Sequence, residues 1–221
     1  MRRLNVHHKN QGFTLLEILV ALAITGILAA LTLPNLLAWL NSNRVQEATD
    51  AIQLALEDAQ RQAIRRGRNC TINFTDGTPT NPTVYRQITA NEAGCLVAIS
   101  DRANPLIPLE NPDERSLSLP QEVFMVVRNF PDFPPDSGSP GVQFSFRGHV
   151  PRLTFAPRED QAIIVLYTAA NAANPYPNQE RKCIVIASLL GIVKQGTYTG
   201  DPLEDPLDAN NCEIRLDGTE P

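Results

Sequence analysis

The chain is short of the groups that metal and acid–base chemistry need. It has four cysteines and three histidines in 221 residues. No two cysteines stand in a C-x-x-C, and His7, His8 and His149 offer no metal-ligand spacing. No nucleophile elbow, phosphate loop or zinc signature occurs. His149, the one histidine beyond Gly12, lies in a turn-like Gly-His-Val-Pro and reads as a loop residue rather than a base. These absences leave no catalytic residue, metal or cofactor to expect, and they point away from an enzyme. Positive charge is also short. Nineteen Lys and Arg stand against 24 Asp and Glu. Three of the basic residues, Arg2, Arg3 and Lys9, precede Gly12, so the remainder holds 16 against 24, a net of −8. Phosphate binding needs a basic face, so nucleic acid is not expected as a partner.

Charge is missing altogether from residues 18 to 33, ILVALAITGILAALTL, and Glu17 is the only charge from Phe13 to Leu40. A run this long can span a bilayer as a helix. The leader ahead of it, MRRLNVHHKNQG, is basic and holds no acid, which keeps it on the cytoplasmic side and sends the remainder outward. A secretory signal would carry a shorter apolar core and a small-residue cleavage site after it. A plain membrane anchor leaves Glu17 unexplained, because an acid inside an apolar span costs roughly 2.5–3.5 kcal/mol. Snorkelling of Glu17 to the headgroups is the alternative to a functional role.

Gly12-Phe13-Thr14-Leu15-Leu16-Glu17, between basic leader and apolar run, resembles the prepilin peptidase motif of type IV pilins and pseudopilins. The resemblance implies cleavage between Gly12 and Phe13 and N-methylation of Phe13. Glu17 then becomes the fifth residue of the mature chain, where the family places its glutamate. Gly26 and Pro34 stand where the family often softens the helix. Cleavage would leave a positive amine on an apolar helix, and the Glu17 carboxylate of a neighbouring subunit would supply its partner. Such a pair adds little net stability but penalises wrong register.

Pro34 is expected to kink or locally melt the helix. Beyond it Val45, Ala48, Ile52, Ala55, Leu56, Ala59 and Ala63 recur at three- and four-residue steps. Gln46, Glu47, Asp50, Gln53, Glu57 and Asp58 fall elsewhere on the wheel. Gly67 reads as the C-terminal cap. The arginines Arg61, Arg65, Arg66 and Arg68 suit a helix C-terminus, where cations are favourable. The next part is rich in proline and turn residues and reads as short strands. They are expected at 70–75, 83–89, 95–100, 123–127, 142–147, 152–155, 162–168, 182–188 and 192–194. Cys70, Cys95, Cys183 and Cys212 fit two disulfides in an oxidising compartment, with buried free thiols as the alternative. Three pairings are possible. Cys70–Cys95 and Cys183–Cys212 are favoured because each closes a local loop carrying turn signals.

The expected fold class is α+β: a long N-terminal helix, membrane-spanning in its first part, packed on an antiparallel sheet domain in the lollipop form of pilins. The expected division is a leader at 1–12, a membrane and filament-core helix at 13–41, and a periplasmic domain at 42–221. That domain would hold an amphipathic helix at 42–66 and a β-rich part at 69–221. Phe144-Ser-Phe-Arg-Gly-His-Val and Cys183-Ile-Val-Ile-Ala-Ser-Leu-Leu-Gly-Ile-Val-Lys resemble the F-x-x-x-G and I-x-I-S-x-x-G-x-V patterns of the GspH/FimT minor pilin family. The resemblance implies a minor pilin or pseudopilin, a structural subunit of a type IV pilus or a type II secretion pseudopilus, in the bacterial inner membrane. Its implied partners are other pilins or pseudopilins, the prepilin peptidase, the inner-membrane assembly platform and the membrane itself. The alternative is a pilus-tip subunit that binds DNA for uptake in natural transformation. Some members do so through arginines beside the last glycine. Here that place reads Gly191-Ile-Val-Lys-Gln-Gly, with Lys194 the only cation.

Overall fold

The computed structural model describes residues 14–80, 82–96, 116–135, 137–168, 181–203 and 207–214; within the helix the side chains at 30–35 and 37 lie outside that description. The chain is α+β. Helix α1 spans Leu15–Arg66. Thr14 caps its start, where the Glu17 amide donates to the Thr14 carbonyl at 3.1 Å and to its Oγ1 at 3.3 Å. A side-chain oxygen at this position satisfies one of the free amides of the first turn. Gly67 ends the helix with φ +64°. The Arg68 amide reaches back to the Ala63 carbonyl and the Gly67 amide to Ile64, the paired closure that a left-handed residue permits. Helical backbone continues through Pro34, so the helix does not melt there.

The chain divides into two compact units, Met1–Trp39 and Leu40–Pro221. In the first, the large apolar side chains from Leu15 to Leu28 are at least half exposed. In the second, Val45, Ala48, Ile52, Ala55, Leu56, Ala59 and Ala63 are fully buried. This is the stripe set by the three- and four-residue spacing. Asp58, placed by the wheel among the polar positions, is instead 3% exposed. It keeps polar company there: Gln62 Nε2 lies at 3.4 Å and Arg61 at 3.8 Å.

Among the described residues ten strands follow: β1 Cys70–Thr75, β2 Val84–Tyr85, β3 Gln87–Ala90, β4 Ser116–Ser118, β5 Val123–Arg128, β6 Gly141–Phe144, β7 Ile163–Thr168, β8 Lys182–Ile186, β9 Val193–Tyr198 and β10 Cys212–Ile214. They form two sheets, β4-β3-β1-β6 and β10-β9-β8-β7-β5-β2. Every pairing is antiparallel. Ile72 and Phe74 of β1, Val142 and Phe144 of β6, Ile164 and Leu166 of β7, and Ile184 and Ile186 of β8 join the buried helix stripe in one core. The alternate residues Ile163, Val165 and Tyr167 of β7 and Cys183 and Val185 of β8 join a second cluster with Tyr198, Leu207, Ala209 and Cys212. The middle of the larger sheet is thus covered on both faces. That is why β7 reads as a continuous apolar run rather than an alternating one.

Several strands differ from the sequence expectation. The stretch 83–89 is two strands in different sheets. They part at Arg86, whose guanidinium donates to the Pro120 carbonyl at 3.1 Å and lies over the Phe124 ring. The strand expected at 142–147 stops at Phe144, because Ser145 to Gly148 closes a turn with the Gly148 amide on the Ser145 carbonyl at 2.8 Å. Residues 152–155 are not a strand. Leu153 and Phe155 pack on the core from a loop, and the Phe155 carbonyl accepts from Gln161 Nε2. The edge strands β4 and β10 were not anticipated, since Ser-Leu-Ser and Cys-Glu-Ile carry no apolar run. Part of the strand expected at 95–100 lies outside the described residues.

Candidate functional site

Gly12 and Phe13 lie outside the described residues. The site therefore begins at Thr14 and Glu17, the cap and the third residue of α1. Thr14-Leu-Leu-Glu17 has the T-x-x-E spacing of a capping box, a signal the sequence analysis did not use. Glu17 is exposed and shares a shallow groove with Ile18, Ala21, Leu22 and Thr25. A carboxylate in the first turn is favoured by the helix dipole. Its neighbours are otherwise greasy: Leu15 is 78% exposed and Leu16 72%. Ile18, Leu19, Val20, Leu22, Ile24, Ile27 and Leu28 are also exposed. These positions go all the way round the helix, so no polar face is left to meet water. Such a surface calls for lipid or other helices to cover it. Among the described residues, no helix is long and apolar enough to cross a membrane.

In the second unit, the two glycine-bearing patterns converge on the helix. Gly148 and Gly191 both have positive φ, +80° and +67°. A Cβ on Gly148 would lie 2.8 Å from Ile64 Cδ1, and one on Gly191 would lie 2.9 Å from Gln60 Nε2. Gln60 Nε2 donates to the Gly148 carbonyl at 2.7 Å and to the Leu190 carbonyl at 2.6 Å. Both glycines are therefore needed for close approach of a loop to the helix. Sequence reasoning missed Gln60, because a lone glutamine on a helix carries no spacing signal.

The cysteines form two disulfides, Cys70–Cys95 and Cys183–Cys212, with Cα atoms 5.7 and 5.9 Å apart. The second ties β8 to β10, and three arginines hold the same C-terminal stretch. Arg158 donates to the Cys212 carbonyl at 2.8 Å, Arg128 to Leu207 and Arg181 to Gly200. Of the helix-end arginines, Arg66 and Arg68 line one groove with Glu92. Arg61 stands 3.8 Å from Asp58, and Arg66 donates to the Ala93 carbonyl at 2.7 Å, while Arg65 and Arg68 are exposed. Lys194 lines a polar groove with Lys182, Gln46, Gln53 and Gln195, and Gln195 donates to Asp50 at 3.0 Å. Burial, with the Asp201 carboxylate as a lesser cause, pushes the Tyr167 phenol up to about 12. Burial, then Asp132, also raises Tyr85. Both rings pack against the core clusters. Among the described residues, no three His, Cys, Asp or Glu side chains gather to hold a metal.

Residues 7–33 match the family model described as the prokaryotic N-terminal methylation motif. The matched segment contains the Gly12-Phe13 junction and Glu17. No curated protein matches the chain. Two crystal forms of the type IV minor pilin FimU of Pseudomonas aeruginosa superpose on it. In one, 74% of this chain and 98% of FimU are covered at 11% identity and a TM-score of 0.38. In the other, 76% and 96% are covered at 10% identity and a TM-score of 0.41. Superpositions this loose leave the architecture to rest on the strand order and helix of the chain itself.

Proposed function

We propose that the chain is a minor pilin or pseudopilin: a structural, non-enzymatic subunit of a type IV pilus or a type II secretion pseudopilus. On this reading the prepilin peptidase cuts between Gly12 and Phe13, and the Phe13 amine is N-methylated. Residues 13–41 hold the protein in the inner membrane, residues 42–221 form the periplasmic domain, and an assembly platform moves the subunit into a filament of other pilins. The observation that carries the reading is the methylation motif joined directly to a capped helix that is apolar on every side and carries one acid, Glu17. An amine left on Phe13 would have that carboxylate, on a neighbouring copy, as its partner in a low-dielectric core. Two disulfides agree with an oxidising compartment. The use of Arg128, Arg158 and Arg181 on backbone carbonyls supports a structural subunit over a DNA-capturing tip. The test is recovery of the chain in sheared surface filaments, or in filaments drawn out by overexpressing the main pseudopilin. Recovery is expected with an active peptidase and lost without one. Recovery that is equal in a peptidase-deleted strain would overturn the reading.

A further inference from the structure

The filament reading leaves one residue at the far end of the apolar segment without a task. Trp39 is the single tryptophan of the chain, and it is 58% exposed on α1. Leu36, one turn earlier, is 50% exposed. After Leu40 the sequence turns polar, with Asn41-Ser42-Asn43-Arg44. Arg44 is the next charge after Glu17 and pairs with Glu122 at 3.3 Å. From Glu17 to Trp39 the helix rises about 33 Å at 1.5 Å per residue. The hydrocarbon layer of a bilayer is about 30 Å thick. A carboxylate at the inner headgroup level therefore puts the indole at the outer one. An indole has an apolar body and one N–H donor, and it settles where lipid chains meet headgroups.

We propose that Trp39 is an interfacial anchor seated among the lipid headgroups of the outer, periplasmic face, and that it fixes the depth of the helix so that Glu17 and the Gly12–Phe13 junction stay at the cytoplasmic face. This rests on the membrane-anchor reading above. Glu17 and Trp39 act as the two ends of a ruler: one resists being pulled inward because it is charged, the other because its N–H needs a polar partner. The occupant is a lipid surface rather than a protein groove, because the helical rise from Glu17 to Trp39 matches the bilayer and the sequence turns polar two residues past the indole.

The experiment uses the full chain in phosphatidylethanolamine and phosphatidylglycerol vesicles, where intrinsic tryptophan fluorescence reports Trp39 alone. Lipids brominated near the headgroup should quench the emission about twice as strongly as lipids brominated near the chain ends. Stronger quenching by the deep bromines would overturn the proposal. So would quenching by aqueous iodide only, or by none of the three, which would place the indole in water or against protein. A chain that fails to float with the vesicles would instead overturn the membrane-anchor reading beneath it. In cells, Trp39→Ala should lower the leader-cleaved fraction several-fold while remaining in membranes, and Trp39→Tyr should restore it. Cleavage of Trp39→Ala at the wild-type rate would remove the depth-setting role.

Discussion

Glu17 concentrates the chemistry of the apolar segment in one side chain. It is the only charge between Phe13 and Arg44, and the helix around it offers it no cation. Glu17→Ala removes a group that costs roughly 2.5–3.5 kcal/mol in lipid, so membrane insertion should be unimpaired or improved. Incorporation into filaments beside the wild-type subunit should fall sharply, as read by the variant-to-wild-type ratio in the sheared fraction. An unchanged ratio would mean the carboxylate pairs with nothing that assembly needs. Tyr167 gives a second residue-level outcome. Its phenol is held neutral up to about 12, against about 10 in an unfolded chain. The folded state keeps a proton that the unfolded state has lost, so this contribution is complete below about pH 10 and drains away as pH rises towards about 12. Urea midpoints should decline over that interval, and Tyr167→Phe should flatten the decline. Parallel declines in the two proteins would show that the buried phenol is not its source.

At the scale of elements, α1 was the most legible part and the sheet edges the least. The stripe from Val45 to Ala63 follows helical spacing, and each of its residues is buried. Strands β1, β5, β7 and β8 are dense in β-branched and large apolar residues, so periodicity found them within a residue or two of their ends. Strands β4 and β10 are held by their neighbours, Gln87 to Thr89 and Gly196 to Tyr198, and tertiary pairing leaves no local mark. Asp58 was misplaced because a helical wheel shows spacing but not which partners come with a buried acid. The loops at Gly148 and Gly191 were marked by their glycines, but their joint attachment to Gln60 was not. Gln60→Ala leaves two carbonyls without that donor and should cost about 1–3 kcal/mol in denaturant unfolding. A cost below about 0.5 kcal/mol would show that water replaces the amide at no loss. Replacing both Cys183 and Cys212 with alanine frees β10 from β8 and should cost about 3 kcal/mol, measured by urea unfolding. An unchanged midpoint would mean that Arg128, Arg158 and Arg181 hold the C-terminal stretch by themselves.

For the whole molecule, the balance of charge and of apolar surface is what the proposed structural role and its DNA-capture alternative each have to meet. The part after Gly12 carries 16 basic and 24 acidic residues, and several of its arginines are committed to carbonyls or to Asp58 and Glu122. Strong salt-dependent binding needs roughly six to ten phosphate contacts, and the stretch from Arg61 to Arg68 offers four cations. The mature chain in detergent should show no micromolar affinity for duplex DNA by fluorescence anisotropy at about 150 mM salt. Binding lost on changing Arg65 and Arg66 to alanine would promote the DNA-capture alternative. On the proposed reading, the exposed apolar segment is stored in lipid and then buried among other pilins. That account depends on one covalent event, removal of the leader in front of Phe13. Intact and peptide mass spectrometry of the chain from the membrane fraction tests it most directly. The account predicts a mature protein beginning at Phe13 with one methyl group on its amine; an intact leader, or a cut after the apolar segment, would contradict it.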